Sequence, residues 1–482
     1  MSTSTPDPRR WRALTLVCAA FFMTVLDVSI VNVALPSIGR ALDVTSDSSL
    51  QWVITAYAIT FGGFLLLGGR AGDLLGRKRM FMVGLVVFSL ASLACGLSGS
   101  LGVLIAARAV QGLGAAIISP ATLSIITTTF AEGPERNKAL GIWGAMGGSG
   151  AAAGVLFGGI LTKYLGWEWI FFVNVPVGAL VLALTPGVVR ESRVQEERTF
   201  DLAGAVTVTA GLALLVYAIA KAPDYGWGSA RTIVELVGAA VLIGAFVLIE
   251  SRRSMPLMPL RIFRVRTLAG ANVVGILLGA ITFANFFMLT LYVQEVLGYS
   301  ALKTGITFLA TAGTTVLVAG LAQALVTRVG AKPIMAVGMA LMTLGMVYYT
   351  QISPDGTFVG DLLPGYLLVG FGLAGAFIPV SVAALAGVPH HQAGLASGLI
   401  NTSQQIGGAI GVAVAASVAT THATSLLNEG KTQAEAFTSG FAYTFWVLAA
   451  LGLAGVIASL TLIRRDEVVE EGGEAEPVTV VG

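Results

Sequence analysis

Fourteen times along this chain the sequence stays apolar for about twenty residues, the length a helix needs to cross the hydrocarbon core of a bilayer. That pattern leaves few folds open. Lipid offers the backbone no hydrogen-bonding partner, so only helices and closed barrels span it. Runs this long are apolar all round, where a barrel strand would alternate, and they read as helices. Composition agrees: 55% of residues are hydrophobic and 11% charged, against about 25% charged in soluble domains. The expected fold class is all-α integral membrane. The first run is longer than a signal-peptide core, lacks a clear small-residue cleavage site, and reads as a retained helix.

An even number of spans puts both chain ends on one side, and Lys and Arg in short loops say which. Arg9, Arg10, Arg12, Arg70, Arg77, Lys78, Arg79, Arg136, Lys138, Arg252, Arg253, Arg328 and Lys332 fall on one side. Arg40, Lys163, Lys221, Arg231, Lys303 and Lys431 fall on the other. Both termini are therefore expected in the cytoplasm, with the chain multi-pass in the cell (inner or plasma) membrane. Net charge is +2, with no basic patch of the kind nucleic acid requires.

The expected organisation is a cytoplasmic tail (1–10), a six-helix bundle (11–189), a linker (190–266), a second six-helix bundle (267–463) and an acidic disordered tail (464–482). The linker holds two extra spans, 201–220 and 232–250, and an interfacial segment, 251–266. A weak repeat supports two halves. Aligning Gly76 with Gly330 also aligns Lys78 with Lys332, and the glycines of the fifth span are echoed in the thirteenth. Two parallel halves with a site at their interface form a transporter architecture.

The first span carries a carboxylate, Asp27, near mid-depth. An Asp at a helix centre costs roughly +2.5–3.5 kcal/mol, so intramembrane acids pair, protonate or face a wet cavity. Asp27 reads as a protonation site or as a packed structural acid. Arg108, in the fourth span, shares a helix face with Gln111 three residues on. Its guanidinium does not readily neutralise. It either supports proton exchange at Asp27 or snorkels to the surface. In the loop Gly69–Arg79, the glycines Gly69, Gly72 and Gly76 permit a tight turn. Asp73 with Arg77 reads as a latch made and broken with conformation, forming a cytoplasmic gate loop.

In the fifth span Gly150, Gly154 and Gly158, with Gly159 beside them, make a stripe that lets helix backbones approach closely. It reads as plain packing or as a low-friction contact between the halves. Asn32, Tyr57, Gln111, Trp143, Asn285, Phe286, Asn401 and Gln404 are substrate-binding candidates: polar and aromatic groups suited to bulky amphiphiles. No GxxxxGK[ST] loop for ATP is present, and the three histidines lie at span edges or loops, away from any triad or intramembrane metal site. An enzyme, a cofactor and a metal are not expected.

These residues resemble the fourteen-span drug:proton antiporters of the major facilitator superfamily, of the multidrug efflux type. The first-helix motif is matched by Leu26-Asp27-Val28 through Asn32 to Pro36. The loop signature is matched by Gly69-Arg70-Ala71-Gly72-Asp73 through Gly76-Arg77-Lys78. The fourth-helix signature is matched by Arg108, Gln111 and Gly112, and the antiporter stripe by Gly150, Gly154, Gly158 and Gly159. Weaker matches are Trp169-Ile170-Phe171-Phe172 leading to Asn174, and Val296-Leu297-Gly298-Tyr299-Ser300.

The resemblance implies a major facilitator fold of two six-helix bundles plus two inserted helices. It also implies a proton-coupled exporter of amphiphilic drugs or related small organic molecules, working by alternating access. Asp27 would carry the proton, Arg108 would be its partner, and the proton gradient would supply the energy with no cofactor. Two features depart from the pattern. Val155 stands where the stripe carries Pro, and Glu168 where the family carries Arg. Glu168 can pair with Lys163 or favour cationic substrates. On the residues alone, a proton-coupled importer on the same fold and a non-transporting scaffold or receptor remain alternatives.

Overall fold

The computed structural model describes residues 8–44, 47–130, 134–192, 201–253, 256, 260–386, 388 and 393–463, with some side chains inside these helices left out. The expected tail 464–482, most of 1–10 and part of 251–266 lie outside the described residues, as does the side chain of Asp73. Among the described residues the regular structure is helical: α1 Arg10–Ala41, α2 Asp47–Leu75, α3 Arg77–Gly96, α4 Leu101–Thr129 and α5 Pro134–Tyr164. A short α6 Trp169–Phe172 and α7 Asn174–Val188 together make the sixth span. The inserted pair is α8 Leu202–Tyr225 and α9 Ala230–Arg252. The second half is α10 Arg266–Leu291, α11 Ala301–Val329, α12 Ala331–Tyr349, α13 Leu363–Leu385, α14 Ala393–Asn428 and α15 Gln433–Leu462. Twelve spans meet length and hydropathy limits for crossing a membrane. With α2 and α5, of 29 and 31 residues, the count is consistent with the expected fourteen.

Five of the described α-helices, α4, α8, α9, α11 and α15, start on a polar residue whose side-chain oxygen accepts one of the orphan N–H groups. Asp201 Oδ1 accepts from Gly204 N at 2.8 Å and Ser229 Oγ from Thr232 N at 3.2 Å. Thr432 and Glu435 form a reciprocal capping box at α15. The stop between α2 and α3 is Gly76, at φ +109°, and the stop between α11 and α12 is Gly330, at φ +89°. A side chain at either would be strained, because positive φ brings Cβ against the carbonyl. The two aligned glycines thus turn the chain at the same place in each half.

The halves match helix for helix. α5 packs on α1 as α14 packs on α10, and α4 packs on α2 and α3 as α13 packs on α11 and α12. α7 lies against α1 and α3 as α15 lies against α10 and α12. The inserted α8 covers the seam between halves where α2 meets α14, with Leu212 and Val216 buried among Ala58, Ile59, Ala409 and Ala413. Its partner α9 turns a largely exposed apolar surface outward, as a lipid-facing helix must.

Of the two readings of the helix stripe, this packing favours the plain one for three of its four glycines. Cβ atoms added at Gly150, Gly154 and Gly158 would meet Phe22 O at 3.2 Å, Leu26 O at 2.7 Å and Ile30 O at 2.8 Å, all on α1. The stripe therefore joins two helices of one half and is not a contact between halves. The only member that reaches across is Gly159, whose added Cβ would lie 2.8 Å from Ala301 O on α11. Opposite it, Gly305 faces Val155 O at 2.6 Å by the same measure, and Gln294 Nε2 donates to Val33 O at 2.8 Å. These close approaches gather toward the face opposite the one where the chain begins. Val155 lies inside α5, which runs without interruption from 134 to 164.

Candidate functional site

Asp27 sits on α1 with 0% of its surface exposed and Arg108, on α4, with 1%. Arg108 Nη1 donates to Asp27 Oδ2 at 2.6 Å. Its Nε donates to Val53 O of α2 at 3.0 Å, and Nη1 also reaches Gln111 Oε1 at 2.7 Å. The Tyr57 ring lies 4.4 Å from the guanidinium carbon. The other carboxylate oxygen, Oδ1, accepts from Gln111 Nε2 at 2.8 Å and Asn174 Nδ2 at 2.9 Å. Four helices thus meet at the ion pair: α1 supplies the carboxylate, α4 the charge and the Gln111 amide, α2 a carbonyl and an aromatic face, and α7 the Asn174 amide.

Arg108, Gln111 and Asn174 all donate to this carboxylate, and an ionised carboxyl is an acceptor only. A pair stripped of water loses more in hydration than it gains by attraction unless the remaining donors are met, which is the work of Val53 O and Gln111. Snorkelling is excluded for Arg108 by its burial. Sequence reading named Asp27, Arg108, Tyr57 and Gln111, which the fold brings together. Asn174 of α7 is not among the sequence candidates, nor are Ser92 and Cys95 of α3, which hold the Gln111 amide through Nε2 to Ser92 Oγ at 3.1 Å and Cys95 Sγ to Oε1 at 3.6 Å. The signal available was weak: an Asn in an otherwise apolar sixth span.

The other candidates lie elsewhere. Asn32 donates to Val28 O of its own helix at 3.0 Å. Trp143 stacks on Phe21 at 4.2 Å and donates to Thr122 Oγ1 at 3.1 Å. Phe286 packs on Phe308, 5.2 Å between ring centres. Asn285 is buried on α10 and Asn401 is half-buried on α14. Asn285 Oδ1 and Gln404 Nε2 are buried with no hydrogen-bond partner. Between Asp27 and the face where the chain begins, Trp11, Cys18 and Phe22 of α1 and Ile142 and Met146 of α5 line a largely apolar groove of about 390 Å³.

At the gate loop the acceptor at the start of α3 is Glu191, from the segment after α7. Lys78 N and Arg79 N each donate to its carboxylate at 3.1 Å, and Lys78 Nζ reaches Pro186 O at 2.9 Å. A carboxylate there caps orphan N–H groups and meets the positive end of the helix dipole. A Cβ at Gly76 would lie 2.7 Å from its carboxyl carbon. Glu191→Ala is expected to cost about 1 kcal/mol, and Gly76→Ala more, about 1–2 kcal/mol from φ alone. Thermal unfolding of the detergent-purified protein measures both, and equal midpoints for the two variants would contradict this ranking. At the other end of α5, the expected Lys163–Glu168 pair is absent among the described residues. The Lys163 ammonium lies 5.1 Å from the Tyr164 ring centre instead.

Comparison with known proteins places this architecture. The family model described as Major Facilitator Superfamily matches residues 17–412. The puromycin resistance protein pur8 of Streptomyces alboniger is 39% identical over 478 residues, covering 98% of this chain and 95% of that protein. The cephamycin export protein CmcT of Amycolatopsis lactamdurans is 42% identical over 409 residues, 83% of each. The tetracenomycin C resistance and export protein of Streptomyces glaucescens is 33% identical, covering 84% of this chain and 75% of that protein. Among solved structures, an auto-inhibited peptide transporter of the POT family superposes with a TM-score of 0.69 at 15% identity, covering 93% of this chain and 97% of that one. A bacterial homolog of the human lysosomal transporter Spinster gives 0.65 at 15%, covering 98% and 100%. This chain, a multi-pass membrane protein, belongs to the Major Facilitator Superfamily.

Proposed function

We propose that the protein is a proton-coupled antiporter that exports amphiphilic antibiotics or related small organic molecules by alternating access, with both chain ends in the cytoplasm. The observation that carries the reading is the ion pair of Asp27 and Arg108, dry and at mid-depth. It stands in a chain whose relatives, similar over nearly its whole length, are named for antibiotic resistance and export. A charge pair with no outlet to water contributes little to stability, but it makes a protonatable switch. A proton on Asp27 cancels its charge and frees Arg108 from its strongest partner. The α1–α4 attachment loosens, and with it the contact between halves on the far side of α1.

The apolar groove below Asp27 suits the hydrophobic body of such a cargo. Cargo bound on the cytoplasmic side favours loss of the proton; proton uptake from outside resets the cycle. The test is everted vesicles from cells expressing the protein, given puromycin or ethidium with the lumen acidified. Accumulation in the lumen that collapses with the pH gradient is expected. Accumulation driven only by an alkaline lumen would instead identify an importer.

A further inference from the structure

Around the ion pair lies a second layer that the exchange of Asp27 with Arg108 does not use. Ser92 Oγ on α3 accepts from Gln111 Nε2 and from Asn174 Nδ2, each at 3.1 Å, and donates to Phe171 O on α6 at 2.8 Å. A hydroxyl has one donor and two acceptor sites, so Ser92 is fully committed. It is 0% exposed and Asn174 1%. Each amide therefore spends one N–H on Ser92 and the other on Asp27 Oδ1. The Gln111 amide is held in that sense from its other end, since its oxygen accepts from Arg108 at 2.7 Å.

We infer that Ser92 and Asn174 are positioning residues that set how readily Asp27 takes its proton, by locking two amide N–H groups onto the oxygen the ion pair leaves free. The argument is one of valence. An ionised carboxylate gains from each N–H aimed at it, and hydrogen bonds to the charged form favour that form. A proton landing on Oδ1 would point into two N–H groups that cannot turn away, because turning breaks their bonds to Ser92. Arg108 holds Oδ2, so both oxygens are guarded. Protonation then requires this layer to yield, which ties proton uptake to movement of α3, α6 and α7 relative to α1. The other titratable groups at the site are Arg108 from α4, Tyr57 from α2 and Cys95 from α3. The stretches of α5, α6, α7, α10 and α11 that pack against α1 bring none within the span.

This inference rests on the proton-coupled reading for its use, but its test does not. The carboxylic C=O stretch of protonated Asp27, identified by its loss in Asp27→Asn, is titrated by infrared spectroscopy of the full protein in liposomes. Ser92→Ala and Asn174→Ala are expected to move the titration midpoint up by about one pH unit, the effect of one charge-assisted hydrogen bond. Ser92→Thr, which keeps the hydroxyl, is expected to stay with the wild type. The double alanine variant should shift by less than the sum, since both residues act on one oxygen. Unchanged midpoints in both single variants overturn the inference, as does an equal shift in Ser92→Thr. Ethidium transport into the same liposomes, scanned against pH, is expected to follow the spectral midpoint. A wild type whose ethidium transport ignores the pH gradient refutes the antiporter reading and leaves the titration result to stand by itself.

Discussion

Asp27→Asn is expected to abolish uphill transport while leaving downhill leakage of drug intact. The amide cannot exchange a proton, so the gradient has nothing to act on. One pH unit is worth about 1.36 kcal/mol and 100 mV about 2.3 kcal/mol per charge. One proton per cycle therefore sustains about tenfold accumulation on one pH unit alone and up to about five-hundredfold with 100 mV added, which should fall to none in the variant. A second consequence separates mechanism from misfolding. The substitution leaves the Arg108 guanidinium, 1% exposed, without its 2.6 Å counter-charge. Breaking a buried pair from one side costs about 3–5 kcal/mol, and the thermal midpoint in detergent should drop. Adding Arg108→Gln removes the stranded charge, so the double variant should regain most of that stability and none of the transport. If Asp27→Asn still accumulates drug on a pH gradient, the proton route proposed for this protein is wrong.

The spans are legible in the residues because one physical rule dominates there: a backbone in lipid must satisfy its own hydrogen bonds, so apolar length alone sets the helices. Even the match between halves could be seen from Gly76 and Gly330, because a positive φ leaves its mark on residue choice. The core of the site was legible for the same kind of reason. Asp27 and Arg108 are costly where they stand, and each needs the other. Ser92 and Asn174 were harder to find, because a buried hydroxyl or amide most often satisfies itself within its own helix, as Asn32 does on Val28. Nothing in sequence tells such a residue from one that bridges helices. The glycine stripe left two readings open. Its period of four showed a close helix contact but carried no information on which helix would fill it, and the partner proved to be α1. Glu191 could not be foreseen as a cap because it lies 113 residues along the chain from Lys78, at the α3 N-terminus.

The same distinction among glycines predicts opposite outcomes for substitutions that look alike. Gly159 and Gly305 stand where α5 of one half meets α11 of the other, and an added Cβ would lie 2.8 Å from Ala301 O or 2.6 Å from Val155 O. Those obstacles are backbone atoms, which cannot rotate aside as a side chain can. Gly159→Val or Gly305→Val should therefore hold this seam apart and bias the protein toward opening on the far face. Overpacking costs typically about 1–3 kcal/mol. Charged wholly against the closed state, that is a loss of turnover of about fivefold to about 160-fold at about 1.36 kcal/mol per decade. A cysteine placed at Leu50, which lines the crevice of about 350 Å³ on that face, should become more reactive to an impermeant maleimide in these variants. Gly154→Val meets Leu26 O on α1 inside a single half, where no closing step can relieve it; it should reduce yield and stability without raising labelling. Gly313→Val, on α11 with nothing within 4 Å of its added Cβ, should transport and label as wild type. Labelling that rises equally in all four variants would show that the α5–α11 contact is packing alone, with no part in which face is open.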